Sequence, residues 1–439
     1  MRAWTVLATA SASLAIIGAC ASSEEDPSLA PDTPPPAPIP DAGVPDVDIW
    51  DVDVPDTRLP DCSSAGWCIT SFPDEDLEFR DVWPLEDVAF AIAESRMQGV
   101  KFLEWKKSTG AWEYIDDQSQ NTSLRAFAGG VYAPNADEVY FAVGAAYVYH
   151  GKRAAPPETK WTWTRAELPD NVVGHPTTHD HGRPYYNLPR EPFPAFGVWG
   201  AGTADVYAYY SNTIFRRDPS DGTWSAVYTV EDLGAANEHA FFVAASGTGP
   251  DDIWFVGARD RTPYSCPLVV RKTADGWERI ADGVVGSSPA SACTVRAGTP
   301  RIGNAFGGWI TDIQPVSATE YLALHNGRFQ GPPVTDAVYL TRVRALDDDV
   351  SFEQSRVPVN LATSSGQPQI LSSLWRGDGE TWFSAWGLVV RRTDDDTYSV
   401  SSLSRDGAPV RAQFNKIRGT SNQNLWAVGA RHAYHKTTP

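Results

Sequence analysis

Positive charge is scarce in this chain. Its 439 residues contain 36 Lys and Arg against 55 Asp and Glu, which gives a formal net charge of −19 at pH 7. Phosphate binding needs clustered cations, so this balance argues against nucleic acid as a partner. A Gly-rich phosphate loop between a strand and a helix is also missing, and nucleotide binding therefore has no support. The 17 Trp, 16 Tyr and 17 Phe instead favour a folded, β-rich protein.

The apolar run at the N-terminus, from Trp4 to Ile17, is too short and too rich in Ala and Ser to cross a membrane. It ends in Ile17-Gly18-Ala19-Cys20, which resembles a bacterial lipobox. The resemblance implies that residues 1–20 are a lipoprotein signal peptide, cut before Cys20, which then carries the lipid. An ordinary secretory signal with a chance cysteine is the alternative. Because Ala21 rather than Asp follows, we expect export and lipid anchoring to the outer membrane, on its periplasmic side or at the cell surface.

Cysteine is also scarce, with five in the chain. Setting Cys20 aside leaves four, an even number that is typical of an exported protein with two disulfides. Proximity in the sequence predicts the pairs Cys62–Cys68 and Cys266–Cys293, the second of which would close a long surface loop. A four-cysteine metal site is the alternative, but the cysteines include no pair separated by two residues.

Residues 21–61 have the composition of a disordered tether. They contain ten Pro, eleven acids and one base, Arg58, which gives a net charge of −10. Proline stiffens such a segment, and like charges extend it. The closely spaced aspartates at 46–56 suggest a calcium loop as an alternative, but the central Gly and closing Glu of an EF-hand are missing.

One phrase recurs through the rest of the chain: a short apolar strand, a polar turn, an acid or amide, and then branched and aromatic residues. Each clear copy holds about four strand-like runs. The acid or amide anchors of the seven copies are Asp87, Glu138, Asp205, Asp252, Glu320, Glu380 and Asn424. Four short antiparallel strands in each of seven repeats predict an all-β fold, a seven-bladed β-propeller at residues 62–439.

The last copy has three strands, so its fourth must come from elsewhere. The segment Trp67–Phe72 precedes the first copy and has the pattern of an outer strand. We therefore expect about residues 66–72 to complete the last blade and close the ring, which removes the exposed edges of an open one. The repeat resembles the loosely defined propellers of bacterial secreted proteins, related to kelch, galactose-oxidase-like and photosystem-II-assembly-factor-like repeats. The resemblance implies the fold and almost nothing about function.

Three of the eight histidines fall within seven residues, at His175, His179 and His181, and imidazole is a ligand for zinc or copper. They lie in Lys152–Pro194, which the sequence predicts to be an insertion, where functional loops often emerge. Their spacing matches no helical metal motif, so a polar surface loop is the alternative interpretation. Apart from this possible metal, the sequence predicts no cofactor.

Other catalytic patterns are weaker. A copper radical centre of the galactose oxidase kind needs a free cysteine, whereas the cysteines here are assigned to disulfides. The sequence Asp221-Gly222-Thr223-Trp224 has the end of a sialidase Asp-box but lacks the residue between Asp and Gly. The acid pairs Asp251-Asp252 and Asp395-Asp396 could serve a glycosidase, but they lie at repeat turns, where capping explains them.

Three hypotheses for function remain. The anchor, the tether and the lack of a catalytic pattern favour a non-catalytic binding or scaffold propeller at the cell envelope, with an unknown protein or glycan ligand. An extracellular carbohydrate-active enzyme and a metal-dependent protein that uses the histidine cluster are the alternatives. The centre of the ring should separate them: converging charged side chains would favour catalysis, and an apolar plug would favour a scaffold.

Replacing Cys20 with Ala should release the protein from the membrane fraction or leave it uncut, because no other side chain can accept the lipid at this position. Fractionation and mass measurement of the variant check this. Wild-type fractionation and migration of the variant would show that the lipoprotein interpretation is wrong.

Overall fold

The copies of the repeated phrase fold as four-stranded antiparallel sheets. A computed structural model of the chain describes residues 62–121, 127–144, 146–158, 160–169, 196–232, 238–261, 264–288, 293–299, 302, 307–327, 337–346, 349–358, 371–405 and 408–438. These residues form seven such sheets, the blades of a β-propeller. The predicted all-β, seven-bladed fold is confirmed.

Within each blade, neighbouring strands pair in chain order, apart from the last blade. Blades 1 to 3 consist of β2 (Glu78–Pro84), β3 (Val88–Ser95), β4 (Gly99–Lys106) and β5 (Ala111–Tyr114); β6 (Phe127–Asn135), β7 (Glu138–Gly144), β8 (Tyr147–Arg153) and β9 (Trp161–Glu167); and β10 (Phe196–Gly200), β11 (Val206–Tyr210), β12 (Thr213–Arg217) and β13 (Trp224–Thr229). Blades 4 to 6 consist of β14 (His239–Gly249), β15 (Asp252–Arg261), β16 (Tyr264–Thr273) and β17 (Gly276–Ala281); β20 (Trp309–Ser317), β21 (Glu320–Gly327), β22 (Ala337–Leu346) and β23 (Asp349–Arg356); and β24 (Ser373–Gly377), β25 (Glu380–Ser384), β26 (Leu388–Thr393) and β27 (Tyr398–Ser402).

The remaining elements are the strands of blade 7, two small hairpins and a short 3₁₀ turn. Blade 7 consists of β30 (Phe414–Ser421), β31 (Asn424–Gly429), β32 (His432–Lys436) and β1 (Trp67–Ile69). Two small hairpins, β18 (Gly283–Val285) with β19 (Cys293–Val295) and β28 (Ser404–Arg405) with β29 (Ala408–Pro409), lie between blades in the chain. A short 3₁₀ turn covers Ser119–Asn121.

The first strand of each blade is the innermost, because these strands contact the first strands of both neighbouring blades. We call the lower face the one that carries the turns from first to second and from third to fourth strands. The upper face carries the turns from second to third strands and the connections between blades. This division fixes the direction of every strand, since neighbours in each blade are antiparallel.

Blade 7 is built from both ends of the described chain. Strand β1 pairs with β32 in the register Trp67↔Lys436, Cys68↔His435 and Ile69↔Tyr434. Trp67 is fully buried, and its ring meets that of Trp382 edge-on at 5.8 Å between centroids. The predicted closure by an N-terminal outer strand is confirmed.

The recurring anchor residues have a common role at the lower edge of the blades. Each pairs with a Lys, Arg or His side chain on or just after the third strand of its own blade, and Asn424 is the one anchor that is an amide. The distances are 3.2 Å for Asp87–Lys107, 2.8 Å for Glu138–His150, 2.8 Å for Asp205–Arg216, 3.1 Å for Asp252–Arg271, 3.3 Å for Glu320–Arg342, 3.2 Å for Glu380–Arg391 and 2.9 Å for Asn424–His435.

In four blades an aromatic ring two residues after the anchor lies against the same partner. Tyr140 stacks on His150 at 4.3 Å and Trp426 on His435 at 4.1 Å, while Trp254 and Trp382 lie under arginine guanidinium groups. We call each set of anchor, ring and third-strand partner an anchor triad. It combines an ion pair or hydrogen bond with a cross-strand ring contact, which stabilises the pairing of second and third strands.

Burial lowers the pKa of His435 to about 4, with a smaller contribution from the positive charge of Lys107. The imidazole is therefore neutral at pH 7. It is matched by the neutral amide of Asn424, whereas Arg271, Arg391 and the imidazole of His150 are matched by carboxylates in their triads.

Deleting residues 21–61 should leave the melting temperature unchanged, whereas deleting 21–75 should unfold or aggregate the protein. The longer deletion removes β1, exposes the edge of β32 and removes the buried Trp67. Loss of that one side chain costs about 1.5–3 kcal/mol, against a typical net stability of about 5–15 kcal/mol. Thermal unfolding of both deletion variants tests this, and equal melting temperatures would contradict closure by β1.

Candidate functional site

Two carboxylates on the inner strands tie neighbouring blades together. Asp81 on β2 and Asp312 on β20 lie at equivalent positions, each just after a β-bulge. Each Oδ1 accepts the N–H of the following residue, at 2.9 and 3.0 Å. Each Oδ2 accepts an N–H from the inner strand of the next blade, Val131 for Asp81 at 2.9 Å and Leu374 for Asp312 at 3.2 Å. Both carboxylates thus replace the missing strand pairing between blades.

Asp312 holds two further groups. The hydroxyl of Ser373 donates to its Oδ2 at 2.6 Å, and Lys416 Nζ lies 2.9 Å from the same oxygen. Lys416 follows the bulge of β30, the position that Asp81 and Asp312 have in their blades. The ion pair therefore runs from blade 7 to blade 5, past the inner strand of blade 6. Since the Asp312 side chain is 1% exposed, this is a buried charge pair.

Trp83 reaches across the centre of the ring. It belongs to the inner strand of blade 1, yet it packs against a core cluster that contains Trp199 of blade 3 and Phe242 of blade 4. Its ring meets that of Tyr132 edge-on at 4.8 Å. The guanidinium of Arg418 lies over the Trp83 ring at 4.4 Å, and its nearest carboxylate oxygen belongs to Asp81, at 3.9 Å. Trp83 and Arg418 together form a plug in the central channel.

Tyr209 joins this region from the second strand of blade 3. Its side chain crosses the inner strand over Gly197, where a Cβ atom would lie 2.1 Å from the phenol oxygen. The hydroxyl donates to the carbonyl of Val243 at 2.9 Å, which links blade 3 to blade 4. Burial raises the pKa of Tyr209, and the charges of Asp81 and Asp312 raise it further. The phenol is therefore a neutral structural donor.

The centre of the ring contains both converging charged side chains and an apolar plug, the two features that were expected to separate the functional hypotheses. Charged side chains do converge there, but the oxygens of Asp81 and Asp312 accept backbone N–H groups of the ring. The apolar plug around Trp83 accompanies these ties. The arrangement holds blades together and does not resemble a pair of carboxylates prepared for acid–base catalysis.

A cavity of about 560 Å³ opens at the lower face between blades 1 and 2. Glu104, which is 1% exposed, forms an ion pair with Arg153 of the next blade. The same guanidinium donates to the carbonyl of Ala136 at 3.1 Å, pairs with Asp137 at 3.1 Å and lies 4.5 Å from the ring of Trp161. These charges join the two blades and are engaged with one another.

A buried network lies at the upper face of blade 4. Arg259, which is fully buried, binds both carboxylate oxygens of Asp282 and also pairs with Asp232 and Glu238, at 2.8 and 3.0 Å. Arg296 pairs with Asp232 and Asp282 as well, at 3.1 and 3.0 Å. Arg296 follows the hairpin of β18 and β19, so the network fixes the hairpin to blade 4.

A disulfide fixes the same hairpin. Cys293 on β19 is bonded to Cys266, which is buried within β16. The predicted pair is confirmed, although Cys266 belongs to a blade strand and not to a surface loop. The second predicted disulfide, Cys62–Cys68, is also present, at the entry to β1. Two disulfides are typical of an exported protein. No helix in the described ranges is long and apolar enough to span a membrane.

The two faces differ in the length of their connections. The lower-face connections are short turns, such as 136–137, 250–251 and 378–379. The longest connections all join strand ends at the upper face, and they include 168–195, 282–308 and 357–372. In β-propellers and other scaffolds, such segments carry recognition more often than tight turns do.

Several predicted site residues lie outside the described residues: Cys20, His175, His179 and His181. In the part of the chain that is described, no group of three or more His, Cys, Asp or Glu side chains is arranged to hold a metal. The stretch Lys152–Pro194 is not wholly an insertion, because β9 (Trp161–Glu167) lies within it. The long connection begins after that strand.

The acid pairs and the partial Asp-box serve turns and strands. Asp252 accepts a hydrogen bond from the indole N–H of Trp254 at 2.9 Å, and Asp395 accepts the backbone N–H of Thr397 at 3.2 Å. Asp221 accepts both the N–H and the hydroxyl of Thr223, at 2.8 and 2.7 Å. These contacts agree with the capping interpretation of the sequence.

Four residues of this region, Asp81, Asp312, Trp83 and Arg418, were not predicted from the sequence. A signal was present in hindsight, because Asp81 and Asp312 each stand three residues before a proline, Pro84 and Pro315. Isolated aspartates before the end of a strand are too common for this spacing to predict a role in linking blades. The partner N–H groups belong to other blades and leave no local trace.

No protein-family model matches the chain, and no curated protein matches it. Among solved structures, YCF48 bound to a D1 peptide is similar with a TM-score of 0.50 and 12% identity, over 87% of this chain and 99% of that one. The extracellular domain of a one-component system from B. thetaiotaomicron has a TM-score of 0.49 and 9% identity, over 84% of this chain and 40% of that one. The WD40 propeller domain of Doa1 has a TM-score of 0.46 and 11% identity, over 84% and 96% of the two chains.

This chain therefore spans about 40% of the B. thetaiotaomicron domain. At such low identities the likeness concerns the fold alone, a β-propeller. It assigns no ligand and no residue role.

Replacing Asp312 with Ala should lower the free energy of unfolding by about 3–5 kcal/mol, because it leaves a buried ammonium and buried N–H groups without their acceptor. Denaturant unfolding under non-reducing conditions measures the change. Asp349→Ala is the control, since Asp349 is exposed at the start of β23, and it should stay within about 0.5 kcal/mol of wild type. Equal losses of unfolding free energy in the two variants would contradict the role of Asp312 in linking the blades.

Proposed function

We propose that this chain is a lipid-anchored envelope protein whose propeller binds a protein or glycan ligand and catalyses no reaction. One observation carries the proposal: the carboxylates that reach the centre of the ring, Asp81 and Asp312, accept backbone N–H groups of two blades each. Their function is to hold the ring. A ring built in this way is a rigid platform for surface recognition.

The proposed anchor is the lipid on Cys20, followed by residues 21–61 as an extended tether. The two disulfides support passage through an oxidising compartment. The described chain enters the propeller at the lower face, because Trp67 pairs with Lys436 at the lower end of β32. The lower face is therefore the one nearer to the anchor in the chain, and we propose that the upper face is presented to the ligand.

A peptide segment of a partner protein is one kind of ligand that suits this proposal. YCF48, whose fold is similar, is known in complex with a D1 peptide.

The purified full chain with Cys20→Ala should retain a ligand from envelope proteins or a glycan array without altering it chemically. Replacing residues 170–195 by a short Gly-Ser linker should abolish retention if this long upper-face connection takes part. A matched control replaces the short lower-face turn 394–397. Binding is measured by surface-based titration, and ligand mass is compared before and after exposure.

Turnover of any ligand, seen as a new mass, would contradict the non-catalytic proposal in favour of a carbohydrate-active enzyme. Zinc or copper bound in stoichiometric amount by the full chain, and lost with residues 170–195, would favour the metal-dependent alternative that uses His175, His179 and His181. Loss of binding in the 394–397 control, with the upper-face variant unaffected, would show that the proposed face is wrong.

A further inference from the structure

Three arginines lie at the upper face where blades 6 and 7 meet. Arg405 is on the hairpin of β28 and β29, Arg411 is on the segment that leads into β30, and Arg431 is on the turn between β31 and β32. The three segments are bound together. The carbonyl of Gln413 accepts the N–H of Ala430 at 3.2 Å, and the hydroxyl of Tyr434 donates to the carbonyl of Ser404 at 2.8 Å.

Two of these arginines are exposed and unengaged. The side chains of Arg411 and Arg431 form no ion pair or hydrogen bond with any residue that the structure describes. Exposed arginines of the lower face differ in this respect, since Arg216 pairs with Asp205 at 2.8 Å and Arg391 pairs with Glu380 at 3.2 Å. In a chain with a net charge of −19, two such arginines on hydrogen-bonded segments form a local excess of positive charge.

Positive charge also predominates around the side chain of His432. Burial lowers the pKa of His432 to about 4, and the charges of Arg405 and Arg431 lower it further. The nearest acid in the backbone pairing is Glu78, which bridges to Ala430, but its carboxylate is held by Arg80 at 2.6 Å. The patch is therefore not neutralised by that acid.

We propose that Arg411 and Arg431, here called the upper arginine patch, bind a carboxylate-rich segment of a partner protein. Guanidinium groups bind carboxylates through paired, charge-assisted hydrogen bonds. The two arginines come from separate segments, so they suit two carboxylates along a peptide better than one small anion. The proposal rests on the proposed binding function and names the chemistry of its ligand.

The test uses the full chain with Cys20→Ala and a fluorescein-labelled peptide of alternating Glu and Ser residues. Fluorescence anisotropy should show saturable binding at low ionic strength, weakened by added salt. The double variant Arg411→Glu, Arg431→Glu should bind at least about tenfold more weakly. The control Arg356→Glu makes one such charge reversal at an exposed site of blade 5 and should change the affinity less than about twofold.

Because the side chains of Arg411 and Arg431 form no described ion pair or hydrogen bond, the double variant should melt like wild type, which separates loss of binding from loss of fold. Equal affinity of wild type and double variant, or no binding at low ionic strength, would overturn the patch. If the envelope ligand is still retained in that case, the proposed function stands without the patch. If neither ligand binds, both proposals fail.

Two further arms test other occupants. A variant with Asp46, Asp48, Asp51, Asp53 and Asp56 changed to Asn removes charge from residues 21–61. A rise of more than about tenfold in peptide affinity would assign the patch to the chain's own tether and overturn the partner. Binding to phosphatidylglycerol vesicles that depends on Arg411 and Arg431, without peptide binding, would assign it to a membrane surface and likewise overturn the proposal.

Discussion

The pairing of β1 with β32 is the interaction on which the rest of the structure depends. Neighbouring blades share only isolated backbone bridges, such as Glu78 with Ala430, so the ring is held mainly by side chains packed between blades and by closure within one blade. Trp67 contributes to both, because it lies in the closing strand and its ring meets Trp382 of blade 6. The carboxylates of Asp81 and Asp312 add hydrogen bonds from one inner strand to the next. Because the ring is closed, every blade packs against a neighbour on both sides, and the weak links between blades therefore act cooperatively.

The fold could be predicted because the anchor of each blade repeats in a recognisable phrase. The physical cause of that repetition, the anchor triad, could be predicted only in part. Its acid and its ring are two residues apart and are visible together. Its third member lies on another strand at a separation that varies with turn length: 11 residues for Asp205 and Arg216, but 19 for Asp252 and Arg271. A partner without a fixed spacing leaves no motif.

The ties at the centre of the ring were beyond prediction for a related reason. The Oδ2 atom of Asp81 accepts an N–H from a residue 50 positions away, and that of Asp312 from one 62 positions away. Both depend on a bulge that turns the carboxylate toward the next blade. Likewise, β9 could not be separated from the long connection that follows it, because its exposed outer face carries Thr and charged residues in place of an apolar pattern.

The chemistry of the two faces follows from how the blades are stabilised. At the lower edge, acidic and basic side chains pair with one another in the anchor triads. At the centre, the carboxylates of Asp81 and Asp312 accept backbone N–H groups of the ring. Charges that hold the fold cannot be redirected to a ligand without loss of stability. Recognition therefore falls to side chains that the fold does not use, and the described arginines at 411 and 431 are of this kind. They stand on the face from which the long connections emerge, opposite the face where the chain enters from residue 62. The upper face therefore combines the long connections with described arginines that the fold does not use.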